Sequence, residues 1–141
     1  MRPRIYSHEV WEGQDWQPLD LFAYGDGVLP LHSDISGIDL KIFKLPEATV
    51  VYQSLAESPG NGVTGPFFNT PILDAGWKQG PPGYNYKRRI EMSVLEPALA
   101  VAGLVFEPGQ TYRAEITLNG TTEGRLISVH EYTIKGRYGQ P

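Results

Sequence analysis

The sequence predicts an all-β sandwich of about seven short strands with one short helix. Three observations predict it. Short runs of alternating or β-branched residues recur along the chain. Turn formers separate them: 16 glycines and 12 prolines, about a fifth of the 141 residues. Only one segment carries helix signals.

The elements follow in chain order. Residues 1–18 read as an irregular N-terminal arm, with Trp11 and Trp16 among polar residues and Pro3 and Pro18 as breakers. The arm either lies over its own domain, anchored by the two tryptophans, or docks on a neighbouring subunit. Leu19-Asp20-Leu21-Phe22-Ala23-Tyr24 alternates as a first strand and ends at the turn Gly25-Asp26-Gly27. Ser33–Ser36 suits a single capped helical turn. Ile38, Leu40 and Ile42 share one face of the next strand, which Leu45-Pro46-Glu47-Ala48 turns into a hairpin with Thr49–Gln53. Ala56–Pro71 reads as a long Gly/Pro loop, a kind that is uncommon without a role. Its Phe67-Phe68 pair argues against disorder. A second Gly/Pro loop, Gln79–Gly83, follows Trp77.

Tyr84 to Val94 gives the clearest alternation, with only Arg88 interrupting its apolar face. Leu95–Gly103 is the helical candidate, with Pro97 suited to a first turn and Gly103 to the stop. After Pro108-Gly109, Tyr112, Ala114, Ile116 and Leu118 line one face. Asn119-Gly120 to Gly124 is hairpin chemistry, and Leu126–Ile134 is apolar on both parities, as in a strand covered on both faces. A tyrosine just past a Pro-Gly corner fits a tyrosine corner, with its hydroxyl bonded to upstream backbone.

Length sets one domain, 19–141, preceded by the arm 1–18. Removing the arm is then expected to leave a folded domain that assembles poorly. The chain has no cysteine, which excludes disulfides, thiolate metal sites and a cysteine nucleophile. A net charge of −4 supplies no bulk basic field for nucleic acid. No apolar run is long enough for a membrane span, and the N-terminus does not read as a secretory signal.

Chemistry-bearing patterns are sparse. His8, His32 and His130 are far apart and share no ligand spacing, so each reads as a surface or packing residue. No nucleophile elbow or phosphate loop is present. The acidic residues fall mostly on outer faces, as solubility requires. Lys87-Arg88-Arg89 beside Tyr84 and Tyr86 resembles a nucleic-acid patch, but three charges are too few for a dedicated binder. The patch equally suits an outer strand face with one inward arginine paired to an acid, or contact with an acidic subunit. Asn119-Gly120-Thr121 matches a glycosylation sequon that no secretory signal supports.

The run Gly27-Val28-Leu29-Pro30-Leu31-His32-Ser33-Asp34-Ile35 through Phe43 resembles the opening of small Ig-like domains of tailed-bacteriophage virions. So does the end, Phe106-x-Pro108-Gly109-x-Thr111-Tyr112 through Gly124 and Glu131–Ile134. The resemblance spans about residues 19–135 and rests on turn and strand motifs. It implies an Ig-like sandwich without catalytic residues or cofactors. The implied role is structural: capsid decoration, cementing, or a head-tail adaptor in a virion assembled in the host cytoplasm. Capsid or tail proteins, or further copies of the chain, would be the partners. The residues expected to meet them are Trp11, Trp16, Phe67, Phe68, Trp77, Arg88 and Arg89. The alternative is a carbohydrate- or receptor-binding module on a tail fibre, using Trp77, Tyr84, Tyr86 and Phe67-Phe68.

Overall fold

Tyr112, Ala114, Ile116 and Leu118, on one parity of the sequence, are all fully buried, whereas Arg113, Glu115 and Thr117 between them are only half-buried. This alternation belongs to a sandwich of two sheets in a computed structural model, which describes residues 4–73, 83–101 and 103–136. Among these residues are eight strands: β1 (Arg4–Trp11), β2 (Leu19–Asp20), β3 (Gly37–Lys44), β4 (Thr49–Glu57), β5 (Phe67–Ile72), β6 (Tyr84–Lys87), β7 (Thr111–Thr121) and β8 (Gly124–Lys135). One helix, α1 (Met92–Val101), and a 3-10 turn, His32–Asp34, complete them.

The larger sheet has the order β1-β8-β7-β3-β4 and the smaller one β2-β6-β5. The chain alternates between hairpins within a sheet (β3–β4, β5–β6, β7–β8) and crossings between sheets. This is the connectivity of an immunoglobulin-like sandwich. Register puts Ile38, Leu40 and Ile42 opposite Leu118, Ile116 and Ala114, and these opposite Leu126, Ser128 and His130. One face of three strands is therefore a continuous core wall. The tyrosine corner forms as expected: the Tyr112 hydroxyl donates to the Val105 carbonyl at 3.4 Å, a long bond.

The N-terminal arm is the main departure. Residues 4–11 are a strand, paired parallel to β8 over its whole length, Arg4 opposite Ser128 through Trp11 opposite Lys135. The sandwich thus has eight strands, and one of its pairings is parallel. The alternation was masked because both parities of 5–11 carry apolar residues: Tyr6 and Val10 face in, Ile5 and Trp11 face out. Trp16 is fully buried, stacked on Tyr132 at 4.5 Å between ring centroids and 9° between planes. Phe106 meets it edge-on at 5.6 Å. Both Trp16 backbone groups bond to Ile90, at 3.0 and 2.7 Å. Within residues 12–18, Trp16 and Pro18 are therefore part of the core.

Three other elements differ from expectation. The first inter-sheet strand is only two residues, because beyond it the Asn85 amide replaces the ladder, accepting from Phe22 N at 2.8 Å and donating to Phe22 O at 2.9 Å. The long Ala56–Pro71 loop contains most of β5, drawn in by the fully buried Phe67. The Tyr84–Val94 strand stops at Lys87. Met92, Leu95 and Leu99 sit at i, i+3 and i+7 and are all buried, so helical spacing prevails there and Val94 is left exposed.

The start and stop of α1 are chemically defined. Asp15 reaches across from the chain before β2: its Oδ1 accepts from Met92 N at 2.9 Å, and its Oδ2 accepts from the Arg89 guanidinium at 2.7 Å. A distant carboxylate thus caps the helix. At the other end Gly103 takes φ +75°, Gly103 N donates to Ala100 O at 3.0 Å, and Leu104 N donates to Leu99 O at 2.9 Å. This is a Schellman stop, as the glycine suggested.

Three outcomes follow for stability. Trp16→Ala is expected to cost about 3–5 kcal/mol, the range for large aromatic truncations in a core. Deleting residues 1–18 is expected to abolish cooperative unfolding rather than leave a folded domain, and a sharp urea transition in the truncated chain would contradict this. Asp15→Ala is expected to cost about 1 kcal/mol through loss of the cap, read as a lowered urea midpoint.

Candidate partner-binding surface

The residues expected to meet a partner separate into different environments. Trp11, at the end of β1, is 50% exposed. The Lys135 ammonium lies 5.1 Å from its ring centroid and also pairs with Glu9 at 3.1 Å. Trp16 and Phe67 are corrected to the core: both are 0% exposed and reach no partner in the folded chain. Phe68 is half-buried, edge-on to Tyr84 at 6.3 Å. Trp77 and most of the second Gly/Pro loop lie outside the described residues.

The two arginines are internal ties. Arg88 forks on Glu57, with Nε at 2.9 Å from Oε1 and one terminal nitrogen at 2.6 Å from Oε2. Both side chains are largely covered, so the pair is an inward arginine matched to an acid, one of the arrangements the sequence suggested. Arg89 is exposed but held by Asp15. The Met92 amide first, and then Arg89, keep the Asp15 carboxyl below its ordinary range. Among the described residues, the basic run thus presents Lys87 without an ion-pair partner and the other two charges already paired. The sequon is equally engaged: Asn119 Nδ2 donates to Asp39 at 3.0 Å, and the Thr121 hydroxyl donates to the Gly124 carbonyl.

Sequence reasoning missed two features. The first is a histidine pair. Parallel pairing sets Tyr6 opposite His130 and His8 opposite Tyr132. His8 Nε2 and His130 Nδ1 are 2.9 Å apart, their rings stacked at 5.2 Å, and Tyr6 stacks on His130 at 4.9 Å. Ser128 Oγ lies 3.3 Å from the other His130 nitrogen, and the Tyr6 hydroxyl donates to the buried Asp20 at 3.0 Å. Burial lowers His8 to about 4 and, with His8 beside it, His130 to about 3. The matching patterns Tyr6-x-His8-x-Val10 and His130-x-Tyr132-x-Ile134 carried this signal, but nothing in them announces parallel pairing.

The second is a groove of about 580 Å³ beside α1. The helix buries Met92, Leu95 and Leu99 and turns short residues, Ser93, Pro97 and Ala100, along the adjacent stripe. The Schellman stop sends Leu104, Val105 and Phe106 back as the opposite wall. Pro97, Ala100, Val105 and Phe106 supply accessible apolar surface over the buried Met92 and Leu99. Glu12 and Glu96 add two carboxylates, and among the described residues no lysine or arginine lines the groove. Val105, in the wall, is 64% exposed, and Val101 at the helix end is 91% exposed. The volume is that of a small-molecule or side-chain pocket.

Among the described residues no group of three or more His, Asp or Glu side chains is arranged to hold a metal ion. No described helix is long and apolar enough to cross a membrane. No protein-family model matches the chain, and no curated protein matches it.

The histidine pair sets a pH dependence. Both imidazoles are neutral in the folded state, whereas the unfolded chain takes up protons below about pH 6.5. Stability is therefore full above that value and falls as the pH drops toward 4. Carried mainly by the buried His130 and discounted for the partial exposure of His8, the loss is about 2–3 kcal/mol between pH 7 and pH 4.5. Urea midpoints are expected to fall across this window, above the range where carboxylates titrate. The His8→Gln/His130→Gln variant is expected to show a flatter profile, and an equal slope in that variant would refute the assignment.

Proposed function

We propose that the chain is a non-enzymatic structural protein of a virus particle, a decoration, cement or head-tail adaptor subunit of a tailed bacteriophage. Its partners are capsid or tail proteins of the same particle, met in many copies. The reading starts from the turn and strand motifs of residues 19–135 and from the immunoglobulin-like sheet order. One observation carries it to an adhesive role. Apolar side chains stand exposed on rigid elements, Trp11 at 50% at the end of β1, Val101 at 91% at the end of α1 and Val105 at 64% in the groove wall, on a frame in which Arg88, Arg89, His8 and His130 are tied internally. Covering such groups gains roughly 25 cal/mol per Å², less the ordering cost of association. Little is lost to ordering here, because β1 and α1 are held within the sandwich before any partner arrives.

The test is sedimentation. A tagged chain, produced in cells that make the particle, is expected to run with the particle in a density gradient. Trp11→Ala is expected to lower the bound fraction by about tenfold in apparent affinity, as for a partly exposed aromatic anchor. A wild-type chain that remains entirely in the monomer fraction would refute the role.

A further inference from the structure

We infer that the groove between α1 and Leu104–Phe106 receives a cationic peptide segment of the partner protein, an apolar side chain entering it and lysine or arginine flanking it. The inference rests on the adhesive reading above and names the partner chemistry at one of its surfaces. Three observations carry it. The accessible apolar surface comes from Pro97, Ala100, Val105 and Phe106, over a floor of buried Met92 and Leu99, and a hydrophobic side chain would cover it. The charges in the lining are both negative, Glu12 and Glu96, and among the described residues no basic side chain lines the groove beside them. An anionic segment would be repelled, and a neutral one would leave the carboxylates partly desolvated and unmatched. The walls are fixed in advance: Asp15 caps the helix start, the Schellman stop sets the return, and the Tyr112 hydroxyl holds the Val105 carbonyl. Preorganised walls lower the cost of binding a flexible segment.

Several other acidic residues are already engaged. Glu57 and Asp15 are occupied by Arg88 and Arg89, and Asp39 by the Ala56 amide and Asn119. Glu12 and Glu96 are the carboxylates that line an apolar trench.

The sequence supplies a reporter. The chain has two methionines, Met1 and Met92, and Met92 lines the groove. Methionine methyl-labelled full-length chain is titrated with a hexapeptide carrying a central phenylalanine flanked by two lysines, and with the same peptide carrying glutamates. The lysine peptide is expected to shift the Met92 methyl resonance and leave Met1 unmoved, more weakly as salt is raised. Glu12→Gln/Glu96→Gln is expected to weaken binding about fivefold, the size of two rim charge pairs. Ala100→Arg, at an exposed helix position, is expected to abolish it.

A silent Met92 methyl, an equal shift with the glutamate peptide, or unchanged binding in both variants would overturn the inference. So would a Met92 shift that grows with protein concentration in the absence of peptide, since that makes a second copy of the chain the occupant. The gradient experiment reads the adhesive role without reference to the groove. Co-sedimentation with a silent Met92 methyl overturns the groove alone, whereas a chain that never leaves the monomer fraction overturns the role.

Discussion

The stacked pair Trp16–Tyr132 is the contact on which the rest of the structure depends. Trp16 arrives from the segment that enters the small sheet, and Tyr132 from the middle of β8 in the large one. Their rings lie parallel at 4.5 Å, and Phe106 and Tyr112 close around them, 4.8 Å from each other. Aromatic pairs of this kind add about 0.5–1.5 kcal/mol beyond the area that they bury. Trp16 also fixes backbone, since its bonds to Ile90 bring Asp15 to the first turn of α1. The stacked pair thereby joins the packing of the sheets to the placement of the only helix among the described residues.

Ionisable groups serve as ties between segments that the sheet ladders do not join. Arg88 and Glu57 link the end of β6 to the end of β4. Asp15 joins the chain before β2 to α1 and Arg89. Tyr6 and Asp20 connect β1 to the smaller sheet, and His8 with His130 lies between β1 and β8. Apart from the exposed Arg89–Asp15 pair, each tie is matched to a partner in a partly dry setting, where leaving one member alone would cost more than the pair contributes. The histidines differ in sign from the carboxylates: their burial favours the neutral form, so acid loosens β1 before it affects Asp15.

The surfaces left for a partner are those that the internal ties do not consume. β1 ends one edge of the larger sheet with Trp11 half out, and the trench beside α1 combines apolar walls with acid. Both lie on elements fixed by several hydrogen bonds, which suits recognition with little rearrangement. The long 56–71 segment turned out to be more structural than expected, since Phe67 belongs to the core and Asn69 bonds back to Gly62 and His32.

By itself the sequence determined the all-β class, the β3–β4 and β7–β8 hairpins, the tyrosine corner and the glycine stop of α1. These features depend on neighbours in the chain: alternation, turn residues and a positive φ at Gly103. Only the tertiary structure decided the rest. Parallel pairing of β1 with β8 joins residues more than a hundred positions apart, and no local pattern marks it. Contacts between distant segments likewise hid the histidine pair, placed Trp16 inside rather than on a partner, and let Asp15 start a helix where alternation suggested a strand. The groove was illegible for the same reason, because its walls come from three segments and its acidic character emerges only where Glu12 and Glu96 meet. Local order follows from steric and hydrogen-bonding rules within a few residues, whereas a site is set by which distant side chains the core brings to one place.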